Sequence, residues 1–286
     1  MLNNEIKELA KLINQGKVIL FVGAGVSASV GMPTWKSMIN RMAEDLGFEP
    51  DEFSSFSDYL QLASYYKAKV GSIDPILEWL KACAKEVQPS IEESKILSTI
   101  PKIGFRKIYT TNFDKILERA FYINKVRHKT IRGFADLNDI SIGTQIIKFH
   151  GDFERKSQIV LTETDYFDRF DFNHPFDIKL RSDSIGNSIL FIGYSFSDVN
   201  IRYLIYRLNK LWENHKVTNS LKSYIFLSEC NPVKHVILKD YGIHPIFGEG
   251  KNFTQDLENF LGSLLEEVEA IKIQEKDVNR RGYGGF

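Results

Sequence analysis

The chain has 286 residues, in which 37 Lys and Arg balance 37 Asp and Glu, and it contains two cysteines, Cys83 and Cys230. The balanced charge argues against direct nucleic-acid binding and against an anionic membrane surface. Two cysteines so far apart exclude paired Cys-x-x-Cys zinc ligation and a disulfide framework. No apolar run has the length of a membrane span, and no secretory signal precedes the first helix. We therefore expect a soluble, cytoplasmic protein.

The first predicted elements are an amphipathic helix over 6–13 and a strand over 18–22, which leads directly into a loop of small residues. An uninterrupted apolar run rich in β-branched residues is typical of a central parallel strand. Gly23 and Gly25 would remove side chains where the backbone approaches a phosphate. The spacing Gly23-x-Gly25-x-x-Ala28 matches the dinucleotide fingerprint only loosely. A tight strand-to-helix turn that binds no ligand explains it equally well.

A second helix is predicted over 38–46, and the following residues, 51–100, are helical in pattern without a strand. This stretch is too long for an ordinary connection, so we interpret it as a helical insertion that caps a site or forms an interface. Further strands are predicted at 107–110, 126–130, 145–149, 188–193, 223–227 and 243–247. Their alternation with helices predicts a doubly wound, mostly parallel, Rossmann-like α/β sheet.

We expect one domain over 1–270, with a second excursion from the sheet at 151–187, where the sequence is polar and aromatic. The last helix should begin near Thr254, which would cap it. Residues 271–286 are expected to be a flexible or partner-bound tail. The aromatic residues of the second excursion belong either to the core or to a cover over the site, and we favour the core.

Polar residues follow four of the predicted strands. Because the carboxyl ends of parallel strands meet at one edge, these residues should share one crevice. Each group also has a structural explanation: Thr111, Asn112, Asp114 and Asp198 are common N-capping types, and His150 could bond a backbone carbonyl. An amide, a carboxylate and an imidazole beside two small-residue loops nevertheless suit a ribose and pyrophosphate ligand.

Four ordered segments resemble the signatures of the sirtuin NAD-binding fold. They are Gly23-Ala24-Gly25-Val26-Ser27 through Pro33, Thr110-Thr111-Asn112-Phe113-Asp114, His150-Gly151, and Gly193-Tyr194-Ser195. The resemblance implies that NAD contacts Gly23, Ala24, Gly25, Ser27, Pro33, Thr111, Gly193, Tyr194, Ser195 and Asp198. It also implies catalytic roles for Asn112, Asp114 and His150. Asn112 and Asp114 would face the nicotinamide ribose, and His150 would act on the ribose hydroxyls.

The departures from the protein-deacylating members concern zinc and the first loop. Those proteins carry two Cys-x-x-Cys pairs after the His-Gly signature, whereas residues 84–229 contain no cysteine here. They also have Asp-Phe-Arg after the first loop, where this chain has Thr34-Trp35-Lys36. The chain instead resembles the zinc-free sirtuin-like domains of bacterial antiphage systems. That resemblance implies hydrolysis of NAD to nicotinamide and ADP-ribose as a step of abortive infection, without a metal.

We expect the NAD-hydrolysing activity of such a domain to be switched on by assembly with other protein chains. We expect a homo-oligomer, a separate defence partner such as a sensor, an ATPase or an Argonaute-type protein, or both, with the insertion at 51–100 as the contact surface. Two alternatives stay open. One is an NAD-dependent protein deacylase or ADP-ribosyltransferase, which requires an acceptor. The other is a non-catalytic module that binds NAD or ADP-ribose as a signal.

Overall fold

A computed structural model describes residues 2–138, 143–196, 198–214, 222–250 and 252–282. Its centre is a seven-stranded sheet in which every pair of neighbours is parallel. The strands are β1 Val18–Val22, β2 Lys107–Thr110, β3 His128–Ile131, β4 Thr144–Lys148, β5 Ser188–Ile192, β6 Ser223–Leu227 and β7 Ile243–Phe247. The predicted doubly wound α/β fold is confirmed, and every predicted strand is present within two residues of its expected bounds.

Fourteen α-helices occur in the described part of the chain. They are α1 Leu2–Asn14, α2 Ala24–Ala28, α3 Trp35–Leu46, α4 Pro50–Phe56, α5 Tyr59–Val70, α6 Asp74–Glu86, α7 Gln88–Glu93, α8 Lys95–Ile103, α9 Ile116–Ile123, α10 Glu163–Phe167, α11 Pro175–Ser184, α12 Val199–Asn214, α13 Pro232–Asp240 and α14 Phe253–Gly282. None of these helices combines the length and the apolar composition needed to cross a membrane.

The strand order β3-β4-β2-β1-β5-β6-β7 places β1 at the centre of the sheet. All five residues of β1 are buried, and Leu20 pairs with Ile108 of β2 on one side and Leu190 of β5 on the other. The next three strands of the chain, β2, β3 and β4, all lie on one side of β1. The chain then returns, and β5 pairs with β1 on the other side. The order therefore reverses between β1 and β5, and ligands of open α/β sheets bind at such a point.

Each face of the sheet is covered by its own apolar core. One face packs against α1, α8, α9 and α14, for example through Leu9, Ile100 and Leu261. The other face packs against α11, α12 and α13, with Leu180 and Leu204 at its centre. Burial on both faces explains why the central strand β1 and residues 189–192 of β5 are continuous apolar runs rather than alternating ones.

A third core lies apart from the sheet, and we call α3–α6, residues 35–86, the helical cap. Met42, Phe53, Leu62 and Leu77 pack together there, and Ile159 and Leu161 from the second excursion join them. The packing thus divides the predicted insertion at 51–100: α4–α6 belong to the cap, together with α3, whereas α7 and α8 pack on the sheet face. The cap and the second excursion share one core, which fixes them to each other beside the sheet.

The chain after β7 differs from expectation in the residue that caps its last helix. Asn252, rather than Thr254, caps α14, since its Oδ1 accepts a hydrogen bond from Gln255 N at 2.8 Å. The helix then continues through Gly282, so most of the segment expected to be a tail is helical, and residues 283–286 lie outside the described part.

Candidate functional site

The loops that follow β1 and β5 meet backbone to backbone. Gly23 N donates to Ile192 O at 2.9 Å, and Gly25 N donates to Gly193 O at 2.8 Å. A β-carbon on Gly23 would lie 2.4 Å from Gly193 O, and one on Gly193 would lie 2.6 Å from Val26 N. Contact between the two loops therefore requires glycine at positions 23 and 193. The amides of Gly23 and Gly25 already donate hydrogen bonds to the β5 loop. Of the two explanations that the sequence left open for Gly23 and Gly25, a phosphate cradle and a tight turn without a ligand, these contacts agree with the tight turn.

Ser27 connects two of the predicted catalytic residues. Its Oγ donates to Asp114 Oδ2 at 2.8 Å and accepts from Asn112 Nδ2 at 2.9 Å. Asn112 Nδ2 also donates to Gly23 O at 3.1 Å, so the amide group is held from both sides. Asp114 Oδ1 accepts from Ile116 N, the first residue of α9, at 3.0 Å, although Lys115 and not Asp114 occupies the N-cap position of that helix. No hydrogen bond from the described residues reaches Asn112 Oδ1, which is the atom left for a ligand.

His150 lies two residues beyond β4 and is 2% exposed. Its Nε2 atom is buried without a hydrogen bond and lies 3.4 Å from Asp198 Oδ2. The ring packs edge-on against Tyr166, with centroids 5.3 Å apart. Burial, reinforced by the positive charge of Arg169, holds the pKa of His150 well below 6.5. The imidazole is therefore neutral at pH 7 and can accept a proton.

Asp198 is the carboxylate nearest to this imidazole. Burial raises its pKa to about 6, although Ile201 N donates to its Oδ1 at 3.1 Å and stabilises the charged form. The Tyr166 hydroxyl donates to Oδ2 at 3.4 Å. Burial next to Asp198 also raises the pKa of Tyr166 and Tyr194 well above 10, so both phenols remain neutral donors. The Tyr194 hydroxyl is buried on the same side of the site, close to the carboxyl group of Asp198.

Two buried cations hold the site loops from behind. Lys148 Nζ donates to Asp114 O and lies 3.6 Å from Glu118 Oε1, so it fixes the turn after β2. Arg169 pairs with Asp177, donates to Phe149 O at 2.7 Å and lies 4.2 Å from the centroid of the Phe149 ring. Arg169 thereby ties the second excursion to the backbone next to His150.

One cavity of about 1110 Å³ gathers nearly all predicted site residues. This volume is sufficient for a dinucleotide, because ligand pockets commonly measure about 300–1,000 Å³. The predicted residues that line it are Ala24, Gly25, Ser27, Pro33, Thr111, Asn112, Asp114, His150, Gly193, Tyr194, Ser195 and Asp198. Gly23 does not line it and instead supports Asn112 and the β5 loop.

Further walls of the cavity come from outside the sheet edge. The cap contributes Trp35 and Tyr59, whose rings stack with centroids 6.4 Å apart, and the second excursion contributes Tyr166, Phe167 and Phe170. Trp35 lies where the first loop departs from the deacylase pattern. A cover over the site was the less favoured of the two alternatives given for the second-excursion aromatics, of which Tyr166, Phe167 and Phe170 line the cavity. Arg202, from α12, also lines the cavity and had no signal in the sequence. The structure thus adds an aromatic wall and a guanidinium to the predicted polar edge.

The chemistry available in this cavity is that of an amide, a carboxylate and a neutral imidazole. Within the described ranges, no group of His, Cys, Asp and Glu is arranged to hold a metal ion. Nε2 of His150 is a buried polar atom without a hydrogen bond from the described residues, and a ligand would supply the missing partner. A polar, sugar-like ligand with several oxygens fits these groups.

Comparison with known proteins agrees with the geometry. Residues 106–246 match the model of the SIR2-like domain. The NAD(+) hydrolase ThsA of Cytobacillus dafuensis is 31% identical over 209 residues, which is 72% of this chain and 41% of that protein. ThsA of Bacillus cereus (strain MSX-D12) is 29% identical over 73% of this chain and 43% of its own length. Defense-associated sirtuin 2 of Bacillus subtilis is 28% identical over 82% of this chain and 23% of its own length.

The chain therefore spans about two fifths of the length of these ThsA relatives. The family match begins just before β2 and ends within β7, so it includes the segments that carry Asn112, Asp114, His150 and Gly193. Three of the four resembling signatures lie inside this match, at the edge where the structure forms the cavity. The resemblance noted in the sequence is confirmed: this chain belongs to the SIR2-like domain family.

Proposed function

We propose that the protein hydrolyses NAD to nicotinamide and ADP-ribose as an effector of antiphage defence. The observation that carries the proposal is the convergence of buried Asn112, Asp114 and His150 on one dinucleotide-sized cavity beside the point where the strand order reverses. The names of the relatives, NAD(+) hydrolase and Defense-associated sirtuin, support both the reaction and its setting.

The chemistry of the reaction fits the groups that line the cavity. Cleavage breaks the bond between the nicotinamide nitrogen and C1′ of the ribose, and the bonding electrons leave with the nicotinamide. Positive charge then develops on the sugar, and the buried carboxylate of Asp114 stabilises it. Water adds to C1′ and loses a proton, which gives ADP-ribose.

Asn112 and His150 have distinct roles in this proposal. Both hydrogen bonds from Asn112 Nδ2 go to the first loop, which turns Oδ1 toward the water or a ribose hydroxyl. His150 is neutral at pH 7, and its unpartnered Nε2 accepts a proton or a hydrogen bond from the ribose or from the attacking water. Asp198, 3.4 Å away, would stabilise the imidazolium once it forms.

The partner proposals concern control of the reaction. We propose that the active form is a homo-oligomer or a complex with a separate defence protein, because an unregulated NADase would deplete its own cell. The helical cap carries exposed apolar side chains, Phe56, Tyr65 and Val70, and the same cap contributes Trp35 and Tyr59 to the cavity wall. Contact at the cap would therefore reach the site directly.

The direct experiment incubates purified protein with NAD, alone and with the product of a neighbouring gene, and measures nicotinamide and ADP-ribose by chromatography. We expect stoichiometric release of both products, and a loss of at least 100-fold in rate for Asn112→Ala and for His150→Ala, as for removal of groups that act in the transition state. Circular dichroism and melting temperature check that the variants remain folded.

Two results would contradict this proposal. The first is the absence of nicotinamide release under both conditions while NAD still binds, which would favour a sensing module. The second is release that requires an acyl-lysine peptide or a protein acceptor, which would favour a deacylase or an ADP-ribosyltransferase.

A further inference from the structure

The charges that line the cavity are unevenly distributed. Among the described residues that line it, four carry carboxylates, Asp58, Asp114, Glu163 and Asp198, and Arg202 is the one lysine or arginine. A pyrophosphate bound in this cavity would be repelled by the carboxylates and attracted by this single cation. The place of Arg202 therefore decides where a phosphate group can lie.

Arg202 projects from the first turns of α12, four residues after Asp198, whose carbonyl accepts a hydrogen bond from Arg202 N at 3.0 Å. Its side chain is half-buried, and its guanidinium makes no ion pair or hydrogen bond within the described part of the chain. Other arginines near the site are paired: Arg169 with Asp177, and Arg132 with Asp152. Arg202 thus keeps its planar set of donors for a ligand.

The groups next to Arg202 also suit an anion. Tyr194 lines the same wall and is 8% exposed, and its buried hydroxyl lies close enough to Asp198 and Arg202 for both charges to act on its pKa. Gly193 has φ +60 and presents backbone rather than a side chain at this point. A guanidinium beside a phenol donor matches the geometry of two neighbouring phosphate oxygens, because arginine binds phosphate through parallel N–H donors.

The first loop offers no equivalent cation. Lys36 follows Trp35 at the start of α3, but it is exposed and does not line the cavity. Gly23 and Gly25 donate their amides to the β5 loop, so these two amides are unavailable to a phosphate. The phosphate-binding charge must therefore come from the β5–α12 side of the cavity.

We propose that Arg202 binds the pyrophosphate of NAD and makes the site selective for a dinucleotide over nicotinamide riboside, which lacks phosphate. The assignment rests on the proposed function for the identity of the ligand. Arg202 acts on binding, because the pyrophosphate is remote from the bond that breaks and its charge does not change in the reaction.

The test compares Arg202→Gln and Arg202→Lys with Arg207→Gln, in the full chain. Arg207 is a matched control: it lies on the same helix, is exposed, and contacts Tyr203 OH at 3.1 Å. Calorimetry would measure the Kd of ADP-ribose and of nicotinamide riboside, and turnover assays would measure KM and kcat for NAD. Melting temperatures would verify folding of all three variants.

We expect Arg202→Gln to weaken ADP-ribose about 10- to 100-fold, in the range of a charged hydrogen bond, and to raise KM for NAD similarly with kcat within about twofold. Arg202→Lys should retain part of the affinity, since it keeps the charge without the planar set of donors. Riboside binding should not change in either variant. The Arg207→Gln control should behave as the unaltered protein.

Unchanged ADP-ribose affinity in Arg202→Gln would overturn the assignment, as would an equal loss for nicotinamide riboside, which would indicate a general effect on the cavity. Failure of the unaltered protein to bind ADP-ribose would also overturn it. Binding that depends on Arg202 without any nicotinamide release would instead contradict hydrolysis and leave the phosphate contact standing. The two proposals thus fail in different measurements.

Discussion

Ser27 has a larger role at the residue scale than its place in a small-residue loop suggests. Sequence reasoning predicted contact with NAD, and the structure adds that its buried hydroxyl joins Asn112 to Asp114. A serine at this position holds the amide and the carboxylate in a fixed relation, which a catalytic pair requires. Ser27 is therefore proposed to position the two groups as well as to line the cavity.

Replacement of Ser27 by alanine should lower kcat about tenfold and destabilise the fold by about 1–3 kcal/mol, because two buried polar groups lose a partner. Turnover assays and chemical denaturation would measure these effects. Ser29→Ala is the matched control: among the described residues Ser29 Oγ bonds Val26 O alone, at 2.7 Å, and Ser29 does not line the cavity. Equal kcat losses in the two variants would refute the positioning role.

The carboxyl group of Asp198 makes stability depend on pH. Its pKa is raised from 3.8 to about 6, so the native state binds more protons than the unfolded state between those values. The free energy of unfolding contributed by this group therefore falls as pH rises through that window. The cause is the burial of a charge that only neighbouring donors compensate.

Asp198→Asn should relieve this cost. Relative to the unaltered protein, its free energy of unfolding should rise by about 2–3 kcal/mol between pH 4 and pH 7, as the pKa shift implies. Urea denaturation at several pH values would measure it. Asp183 gives the opposite sign: Lys107, Lys179 and Tyr109 bond its carboxylate and lower its pKa, so Asp183→Asn should lose more stability at pH 7 than at pH 3. A curve for Asp198→Asn parallel to that of the unaltered protein would contradict the argument.

At the scale of elements, the junction of the β1 and β5 loops determines the shape of the site. Gly193 has φ +60, and a β-carbon there would come within 2.6 Å of Val26 N. The loop after β5 cannot move away from this contact unless α2, which contains Val26 and Ser27, moves as well. The glycine is thus required by packing between two backbones, in addition to any approach of a ligand.

Gly193→Ala should therefore destabilise the fold by about 2 kcal/mol or more and weaken ADP-ribose binding, because steric overlap and a left-handed backbone combine there. Gly262 is the control, since it lies within α14 and a β-carbon there would meet nothing within 4 Å. Gly262→Ala should instead stabilise by about 1 kcal/mol through helix propensity. Thermal denaturation would measure both, and a neutral Gly193→Ala would show that the loops are free to separate.

At the scale of the whole molecule, the cap and the second excursion enclose the crevice. Glu163 N donates to Ser64 Oγ at 3.0 Å, and Gln61 Nε2 donates to Glu163 Oε1 at 3.0 Å, across the boundary between α5 and α10. Together with their shared core, these bonds join two segments that are about 100 positions apart in the sequence. A partner that binds the cap would therefore act on both walls of the cavity.

The proposed assembly surface can be tested on the cap. Phe56 and Val70 are 57% and 41% exposed, so the double change Phe56→Ser and Val70→Ser should weaken self-association and abolish any rise of specific NADase activity with protein concentration. Light scattering and turnover assays would measure both effects. The control replaces Val233 and Val236 of α13, which are 66% and 59% exposed. Loss of assembly in the control alone would place the interface on α13.

The sheet could be predicted from the sequence alone, because its central strands are continuous apolar runs and the predicted strands alternate with helical patterns. The sequence also placed Asn112, Asp114, His150 and the two small-residue loops at one edge, since parallel strands end on the same side. Tertiary structure alone decided which residues form the other walls. Trp35, Tyr59, Phe170 and Arg202 reach the cavity through packing between segments that are distant in the sequence, and no local periodicity encodes such contacts. The bonding of Gly23 could not be predicted locally either. Its amide donates to Ile192 O because β5 pairs with β1 in the sheet.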